Sequence, residues 1–338
     1  MKKIARKDFI RMSALTGLGI GLSKSLKAAG TKFNEGKRIG IIGLDTSHST
    51  AFVKALNAAG ASDKFKAYRI VAAYPKGSND IQSSVERIPG YTAEVKQYGV
   101  EIVSSIPELI RKVDYVCLET NDGRLHLQQA LPVIKAGKPL FIDKPITASL
   151  KDGTAIFDAA RKYNTPVFST SSLRYITGME DVLSEKFGKV IGAETYSPAN
   201  LEKTHPDLFW YGIHGVEMLF TAMGPDCKSV SRIHTKDTDI VVGIWDNDRI
   251  GSFRGTRSGK ADYGGVVFAE KGNIKLGSFK GYNLLLEQII NFFETGKPPV
   301  AEKDTLAILA FMEAADESKK RKGASVTIDS IFKRVDKK

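Results

Sequence analysis

Length, composition and charge narrow the possible classes of protein. The chain has 338 residues, of which 42% are hydrophobic and 9% aromatic, so it can form globular cores in about two domains. Its formal net charge is +12, but residues 1–29 contain seven lysines and arginines against one aspartate. The remainder has no arginine-rich run and no basic stripe interleaved with aromatic residues, so we expect no nucleic-acid partner. The two cysteines lack metal-ligand spacing, and we expect no metal site.

Residues 1–30 have the three-part pattern of an export signal. A basic stretch is followed by the apolar run 12–22 and then by small residues at 28–30. The run is too short and too rich in glycine for a stable membrane span. Residues 5–11, Ala-Arg-Lys-Asp-Phe-Ile-Arg, resemble a twin-arginine motif with lysine in place of the second arginine. We therefore expect a periplasmic protein exported by a twin-arginine-like route; the alternative is an amphipathic N-terminal helix of a cytoplasmic protein.

Residues 36–170 alternate between strand-like and helical patterns. Short apolar runs bounded by turn residues predict buried strands at 38–44, 68–74, 100–103, 114–118, 139–142 and 165–169. Helical patterns lie between several of these runs, at 52–60, 106–111, 126–136 and 153–162. The alternation predicts an α/β fold with a doubly wound parallel sheet of Rossmann type.

The pattern changes in the second half of the chain, residues 171–338. Strand-like runs at 190–196, 240–245, 250–254 and 264–269 follow one another mostly without intervening helices. One helical pattern begins at Tyr211, and two more cover residues 283–295 and 303–320. Such an order is typical of an α+β domain with a large, open and mainly antiparallel sheet.

The apolar run 139–142 leads directly into Asp143-Lys144-Pro145. This order places one ammonium group at the carboxyl end of a strand, where open α/β sheets bind ligands. Pro145 restricts the backbone of the lysine before it, so the turn would hold Lys144 in an extended geometry directed out of the sheet. Lys144 is therefore a candidate catalytic residue; the alternative is a solvated lysine in a strand-to-helix turn.

The turn after the first strand is the expected place for a phosphate, because helix N-terminal amides accept anions. If Gly43 is the first glycine of a G-x-G-x-x-G fingerprint, the second falls on Asp45 and the third on His48. Asp45 is unfavourable beside a pyrophosphate unless its carboxylate turns away, for instance to cap the helix. The phosphates would then depend on backbone amides and on the hydroxyls of Thr46 and Ser47.

The second strand ends without the acidic residue that would bind an adenosine ribose. The chain instead reads Tyr-Pro-Lys-Gly-Ser-Asn over residues 74–79. Lys76 and Ser78 would suit a ribose phosphate, so the pattern is compatible with NADP as well as NAD. An ordinary turn explains the same residues.

A second group of candidate residues lies at 205–220. His214 is placed near the start of a predicted helix, one turn before Glu217. An imidazole there can act as a general base, because its ordinary pKa lies in the working range. A histidine with its hydrogen bonds satisfied in the core is the alternative.

These motifs together resemble, in order and spacing, the Gfo/Idh/MocA oxidoreductases over about residues 38–328. The residues that carry the resemblance are Gly40-Ile-Ile-Gly43, His126-x3-Ala130 with Ala136-Gly137-Lys138, Asp143-Lys144-Pro145, Arg174-Tyr175 and Gly212-x-His214. The family's Glu-Lys-Pro is here Asp-Lys-Pro. Its Asp-x-x-x-His is here Trp210-Tyr-Gly-Ile-His214, so the aspartate that accompanies the histidine is absent.

The resemblance implies a Rossmann domain followed by a substrate-binding and oligomerisation domain, usually in a homodimer or homotetramer. It implies that His214 accepts a proton from a sugar, glycoside or cyclitol hydroxyl while hydride leaves the same carbon for NAD or NADP, and that Lys144 stabilises the alkoxide. Asn121 and Asp122 would lie near the nicotinamide ribose, and His126 near the cofactor. Substrate contacts would come from Arg124, Arg174 and the aromatic side chains of Trp210 and Tyr211.

Export implies that the nicotinamide cofactor travels tightly bound, because it is not freely replenished outside the cytoplasm. A captive cofactor favours a cycle that returns to its starting redox state. The resemblance therefore also covers redox-neutral NAD-assisted cleavage of a glycoside or epimerisation. A third alternative is a carbohydrate-binding protein without catalytic activity, because a fold alone does not establish an activity.

Overall fold

The computed structural model describes residues 37–336. The export signal predicted for residues 1–30 lies outside the described residues. None of the helices in the described part of the chain combines the length and apolarity that a membrane crossing requires.

The first sheet is parallel and six-stranded. Its strands are β1 (Arg38–Ile42), β2 (Arg69–Tyr74), β3 (Glu101–Ile102), β4 (Tyr115–Leu118), β5 (Leu140–Ile142) and β6 (Val167–Ser169). They lie side by side in the order β3-β2-β1-β4-β5-β6. The chain therefore builds the sheet outward from β1 to β3 on one side and then crosses to the other side of β1 for β4 to β6. That switch point, at the carboxyl ends of the strands, is where doubly wound sheets bind ligands.

Five helices accompany this sheet. They are α1 (Ser47–Asn57), α2 (Gln82–Lys96), α3 (Ile106–Lys112), α4 (His126–Lys135) and α5 (Leu150–Lys162). The sequence pattern predicts all of them except α2. That helix buries only Ser84 and Val95 and contains Pro89, so it has no apolar stripe for periodicity to detect.

The second sheet is seven-stranded and mainly antiparallel. Its strands are β7 (Val190–Pro198), β8 (Ser229–His234), β9 (Thr238–Ile244), β10 (Ile250–Thr256), β11 (Gly264–Ala269), β12 (Gly272–Gly277) and β13 (Val326–Thr327). The order is β12-β11-β7-β10-β9-β8-β13, and β7 with β10 is the parallel pair. The predicted fold class is therefore confirmed. β8 was not predicted, since it buries Arg232 where a strand pattern requires an apolar residue.

The remaining helices are α6 (Met179–Leu183), α7 (Asp207–Trp210), α8 (Ile213–Met223), α9 (Asn283–Thr295), α10 (Glu302–Lys320) and α11 (Ile328–Asp336). α8 packs closely on the second sheet because Gly215 has no Cβ: an added Cβ would lie 2.2 Å from Cε2 of Phe253 in β10. α9 packs instead against the first sheet, where the Phe292 ring lies 4.7 Å from that of Phe168. The close packing of α8 fixes His214 near its N-terminus.

Candidate functional site

A cavity of about 380 Å³ lies at the carboxyl edge of the first sheet. Its wall combines the turns after β1 and β5 with segments of α2, α7 and α8. Lys144 and His214 both line it, although 70 positions separate them in the sequence. The other predicted site residues that line it are Thr46, Ser47, His48, Asn121, Trp210 and Tyr211.

His214 is held by a buried chain of hydrogen bonds. Its Nδ1 lies 2.7 Å from Oγ of Ser171, and the Ser171 amide donates to Glu217 at 2.8 Å. Glu217 also pairs with Nε of Arg174 at 3.2 Å. Although Trp210 replaces the family's aspartate, the imidazole thus has a partner in Ser171. Burial lowers the pKa of His214 well below its ordinary value, and the charge of Lys144 lowers it further, so the ring is neutral and can accept a proton at neutral pH.

Lys144 is buried, and its Nζ lies 3.9 Å from Oδ2 of Asp143. Asp143 and Glu119 are fully buried, and His48 is 6% exposed. Nδ1 of His48 lies 3.1 Å from Oδ1 of Asp143 and 3.6 Å from Oε2 of Glu119. These three side chains follow β1, β4 and β5, which are adjacent in the sheet. They form a group that we call the acidic-histidine cluster.

Burial and mutual attraction oppose each other in the pKa values of this cluster. Burial lowers the pKa of His48, but Asp143 and Glu119 outweigh it and raise the pKa to about 9. Burial raises the pKa of Glu119 to about 7 against the opposing effects of His48 and Lys144. Burial also acts to raise the pKa of Asp143, but His48 and Lys144 outweigh burial and hold this pKa below the ordinary value. Glu119 was not predicted from the sequence. An acidic residue directly after a buried strand is the signal that could have indicated it.

The turn after β1 forms a phosphate cradle that differs from the G-x-G-x-x-G fingerprint at the second and third glycines. Gly43 has φ +90°, and an added Cβ would lie 2.5 Å from the Thr120 amide nitrogen, so the first glycine of the fingerprint is required. Asp45 does not cap α1. Its buried carboxylate accepts hydrogen bonds from the Asn121 amide, at 3.0 Å, and from the Ser84 hydroxyl. The carboxylate therefore turns away from the cavity, and burial raises its pKa.

The cradle fits an anionic group such as a pyrophosphate. Thr46 and Ser47 line the cavity at the N-terminus of α1, and the buried Oγ1 of Thr46 has no hydrogen-bond partner. Ser83 and Arg87 of α2 line the same cavity and add a hydroxyl and a cation. Backbone amides at a helix N-terminus, together with a cation, favour phosphate oxygens. Sequence analysis missed the two α2 residues because the helix itself was not predicted.

A second cavity of about 540 Å³ lies at the end of β2 and includes Lys76. Ser78, in contrast, is buried. Its Oγ lies 2.7 Å from Asp80 and 2.9 Å from Asp122, so this hydroxyl is not free for a ribose phosphate. Asp122 pairs with Nη2 of Arg124 at 2.6 Å. Burial raises the pKa of Asp122, but hydrogen bonds from His205 and Arg124 outweigh it and lower the pKa.

Three further predicted site residues lie away from the first cavity. Arg124 is bound by Asp80 and Asp122, and Arg174 by Glu217. His126 is fully buried, with its ring nitrogens 3.0 Å from the Ile146 carbonyl and 2.7 Å from the Thr120 carbonyl. These contacts tie the turns after β4 and β5 together, so His126 supports the walls of the site rather than lining it.

The first domain matches a family model of known proteins. Residues 37–171 match the family model described as "Oxidoreductase family, NAD-binding Rossmann fold", named GFO_IDH_MocA. The first domain is therefore similar to the NAD-binding domains of this family. The match includes Gly43 and the Asp-Lys-Pro turn, which carry the resemblance seen in the sequence. No curated protein matches the sequence significantly.

Solved structures share the fold over most of the chain. A protein described as a probable dehydrogenase from Thermotoga maritima superposes with a TM-score of 0.72 at 19% identity, covering 87% of this chain and 99% of that one. The myo-inositol dehydrogenase from Lactobacillus casei, solved with NAD(H) and myo-inositol, gives 0.67 at 14% identity, covering 86% and 96%. The scyllo-inositol dehydrogenase from the same organism gives 0.67 at 14% identity, covering 86% and 98%. At these identities the likeness shows the fold.

Proposed function

We propose that this protein is an NAD(P)-dependent oxidoreductase that acts on a hydroxyl group of a sugar, glycoside or cyclitol. The observation that carries the proposal is the convergence of Lys144 and His214 on one cavity, at the switch point of a domain that matches an NAD-binding family. Thr46, Ser47, Ser83 and Arg87 would hold the cofactor phosphates. The nicotinamide, when bound, supplies the hydride acceptor.

The side chains of the cavity supply the proton chemistry. With its proton on Nδ1 and donated to Ser171, His214 has Nε2 free to accept the proton of the substrate hydroxyl. The ammonium of Lys144 stabilises the alkoxide that forms as this proton leaves. Because both groups are buried, their electrostatic effect on a developing charge is stronger than it would be in water.

The lining of the cavity favours a polyhydroxylated substrate. Trp210 and Tyr211 provide aromatic surface for the apolar face of a ring, and Ser172 and Asn200 provide hydrogen-bonding groups. Two fold neighbours are named as inositol dehydrogenases, which supports a search that begins with cyclitols and hexoses.

The test begins with the purified protein. Its absorbance spectrum and mass spectrum are read for co-purified nicotinamide, and NADH and NADPH are titrated by fluorescence. A panel of cyclitols, hexoses and glycosides is then screened for reduction of NAD and NADP. We expect Lys144→Ala and His214→Ala to lose at least about 100-fold in kcat while unfolding at the same temperature as the unmodified protein. Full turnover in both variants would refute the assignment.

A redox-neutral cycle is the second candidate, favoured by Trp210 in place of the family's aspartate. A tightly bound nicotinamide would supply reversible hydride transfer there, so that the C–H bond next to the transient ketone would become acidic enough for elimination or epimerisation. Product analysis separates the two candidates. A glycoside cleaved or epimerised by the holoenzyme without accumulation of NADH indicates the redox-neutral cycle. If NADH and NADPH fail to bind at all, the remaining interpretation is a non-catalytic carbohydrate-binding protein.

We also propose that the open face of the second sheet joins two copies of the chain, in a homodimer or in a homotetramer built from such pairs. The face opposite α8 and α10 exposes apolar side chains on neighbouring strands, among them Ile233, Ile244 and Ile250, exposed to 68%, 42% and 58%. Ile250 is paired with Ile244 across β10 and β9, and Ile233 with Ile240 across β8 and β9, so these side chains share one face of the sheet. Light scattering should give a multiple of the chain mass, and Ile250→Glu should reduce it. A monomeric unmodified protein would exclude this contact.

Periplasmic export remains a proposal that depends on residues 1–30 alone. It predicts that the protein appears in the periplasmic fraction, and that a variant in which Arg6 and Lys7 are both replaced by glutamine stays in the cytoplasm. Cytoplasmic retention of the unmodified protein would favour the alternative location.

A further inference from the structure

The acidic-histidine cluster brings three metal-binding side chains to one point. One ligand atom from each of His48, Glu119 and Asp143 lies within 4.8 Å of the other two, and all three residues are buried. Glu119 and Asp143 directly follow β4 and β5, and His48 is the second residue of α1, which follows β1, so the three adjacent strands fix their relative positions. Nothing in the proposed oxidoreductase chemistry uses Glu119.

The polar atoms of the cluster lack ordinary partners. Nδ1 of His48 and the carboxylate oxygens of Glu119 and Asp143 are buried and make no well-formed hydrogen bond with another side chain, although His48 lies within ion-pair distance of both carboxylates. Buried polar atoms are normally hydrogen-bonded, and a buried carboxylate with no donor on either oxygen is costly. Two carboxylates buried at one point therefore favour a positive charge beside them.

The distances match ligands that share a common ion. Two atoms each about 2.1 Å from an ion are about 3.0 Å apart at a right angle and about 3.4 Å apart at the tetrahedral angle. Nδ1 of His48 lies 3.1 Å and 3.6 Å from the carboxylate oxygens of Asp143 and Glu119. In the metal-free protein the same 3.1 Å separation serves an ion pair between the imidazole and Asp143. Ligand atoms arranged around one metal ion have separations of this size.

From this geometry we propose that His48, Glu119 and Asp143 bind a divalent transition-metal ion. The two carboxylates neutralise the charge of the ion, so the occupied cluster is electrically balanced inside the protein. One imidazole with two carboxylates suits Mn²⁺, Fe²⁺ or Zn²⁺ better than Mg²⁺ or Ca²⁺, which prefer oxygen ligands alone.

The position of the cluster gives the ion a role toward ligands. Three protein ligands leave at least one coordination position open, and His48 and Asp143 line the cavity that contains Lys144 and His214. An oxygen that completes the coordination would come from a molecule bound in this cavity, as a hydroxyl, a carbonyl or a carboxylate oxygen. This inference goes beyond the proposed function and does not depend on it.

The test measures metal binding directly, without cofactor or substrate. The full chain is freed of metal with EDTA and dialysed, and Mn²⁺, Zn²⁺ and Mg²⁺ are titrated separately by calorimetry. We expect one Mn²⁺ or Zn²⁺ per chain and much weaker binding of Mg²⁺. Crystals soaked in MnCl₂ should show an anomalous peak between the three side chains.

Two variants make the result specific. Glu119→Gln keeps the shape of the side chain but removes its charge, and should weaken Mn²⁺ binding at least about 100-fold. Asp114→Asn is the matched control, because Asp114 precedes β4 at its opposite end, where it pairs with Arg38; its Mn²⁺ affinity should equal that of the unmodified protein. Circular dichroism confirms that each variant is folded.

The opposite results are equally clear. If the unmodified protein binds neither Mn²⁺ nor Zn²⁺ at a defined stoichiometry, the proposal is wrong and the cluster is a buried ion pair. Unchanged Mn²⁺ affinity in Glu119→Gln would also overturn it, because the ion would then lie elsewhere. NADH binding measured on the same samples reports on the proposed function separately, so failure of one leaves the other intact.

Discussion

Raising the pH should destabilise the metal-free protein through His48. Burial lowers the pKa of His48 in the folded protein, but Asp143 and Glu119 outweigh burial and raise it to about 9, whereas an unfolded histidine titrates near 6.5. A group whose pKa is raised on folding contributes stability below its unfolded pKa and loses it as the pH rises through the folded pKa. The contribution of His48 is therefore largely present at pH 7 and lost above pH 9.

The two pKa values set the size of the effect. By linkage, His48 contributes about 2–3 kcal/mol at pH 7 and almost nothing at pH 9.5, so the free energy of unfolding should fall by about 2 kcal/mol. Burial also raises the thiol pKa of Cys117 and Cys227. The unfolded thiols ionise near this pH, so the cysteines add to the loss. A comparison with His48→Gln, which cannot titrate at this position, separates the contribution of the acidic-histidine cluster from that of the cysteines.

Urea unfolding followed by circular dichroism measures both proteins in EDTA at pH 7 and pH 9.5. The unmodified protein should lose about 2 kcal/mol more than His48→Gln between the two pH values. Equal losses would refute the reasoning, because they would show that the carboxylates do not hold a proton on His48.

Two further predictions concern the support of His214, and a third concerns a buried charge. Ser171→Ala removes the group next to Nδ1 of His214 and should lower kcat about 10-fold or more without changing NADH affinity; an unchanged pH profile of kcat would contradict it. Gly215→Ala places a Cβ 2.2 Å from the Phe253 ring and should cost about 1–3 kcal/mol in thermal unfolding, whereas an unchanged melting temperature would show that α8 can shift. Arg232→Met removes the buried partner of Asp316 and one partner each of Asp207 and Asp239, which keep Lys319 and Arg257, and should cost about 3–5 kcal/mol in urea unfolding; a smaller loss would show that the remaining cations compensate the carboxylates.

The sequence predicts the first sheet well because its strands are buried on both faces. Such strands read as short apolar runs, and 139–142 coincides closely with β5 (Leu140–Ile142). The pattern fails where few side chains are buried or where a buried side chain is charged. α2 buries two residues and leaves no stripe, and β8 buries a charged arginine in place of an apolar side chain.

The candidate site was predictable where a motif names the residue. Lys144 and His214 were found through the turn chemistry and the family resemblance, and both line one cavity. Glu119 was not found, because positions 48, 119 and 143 have no spacing that signals a shared site. Their convergence follows only from the adjacency of β1, β4 and β5. Likewise, no pattern indicates that Arg124 is bound by two carboxylates, since such pairing depends on side-chain packing.

The two proposals meet at Asp143, which lies beside both His48 and Lys144. In the metal-free protein its charge is shared between the imidazole and the ammonium, whose Nζ lies 3.9 Å from Oδ2. An ion bound by Asp143 would withdraw that negative charge, leaving Lys144 less compensated and therefore more effective in stabilising an alkoxide.

Added Mn²⁺ should for this reason raise kcat in the unmodified enzyme by more than it does in Lys144→Met, which keeps the aliphatic length but carries no charge. The measurement is kcat with and without Mn²⁺ at saturating substrate and cofactor for both proteins. An equal stimulation of both would show that the ion acts on the substrate alone. In that case Lys144 and the cluster would contribute to the reaction independently, despite the carboxylate that lies between them.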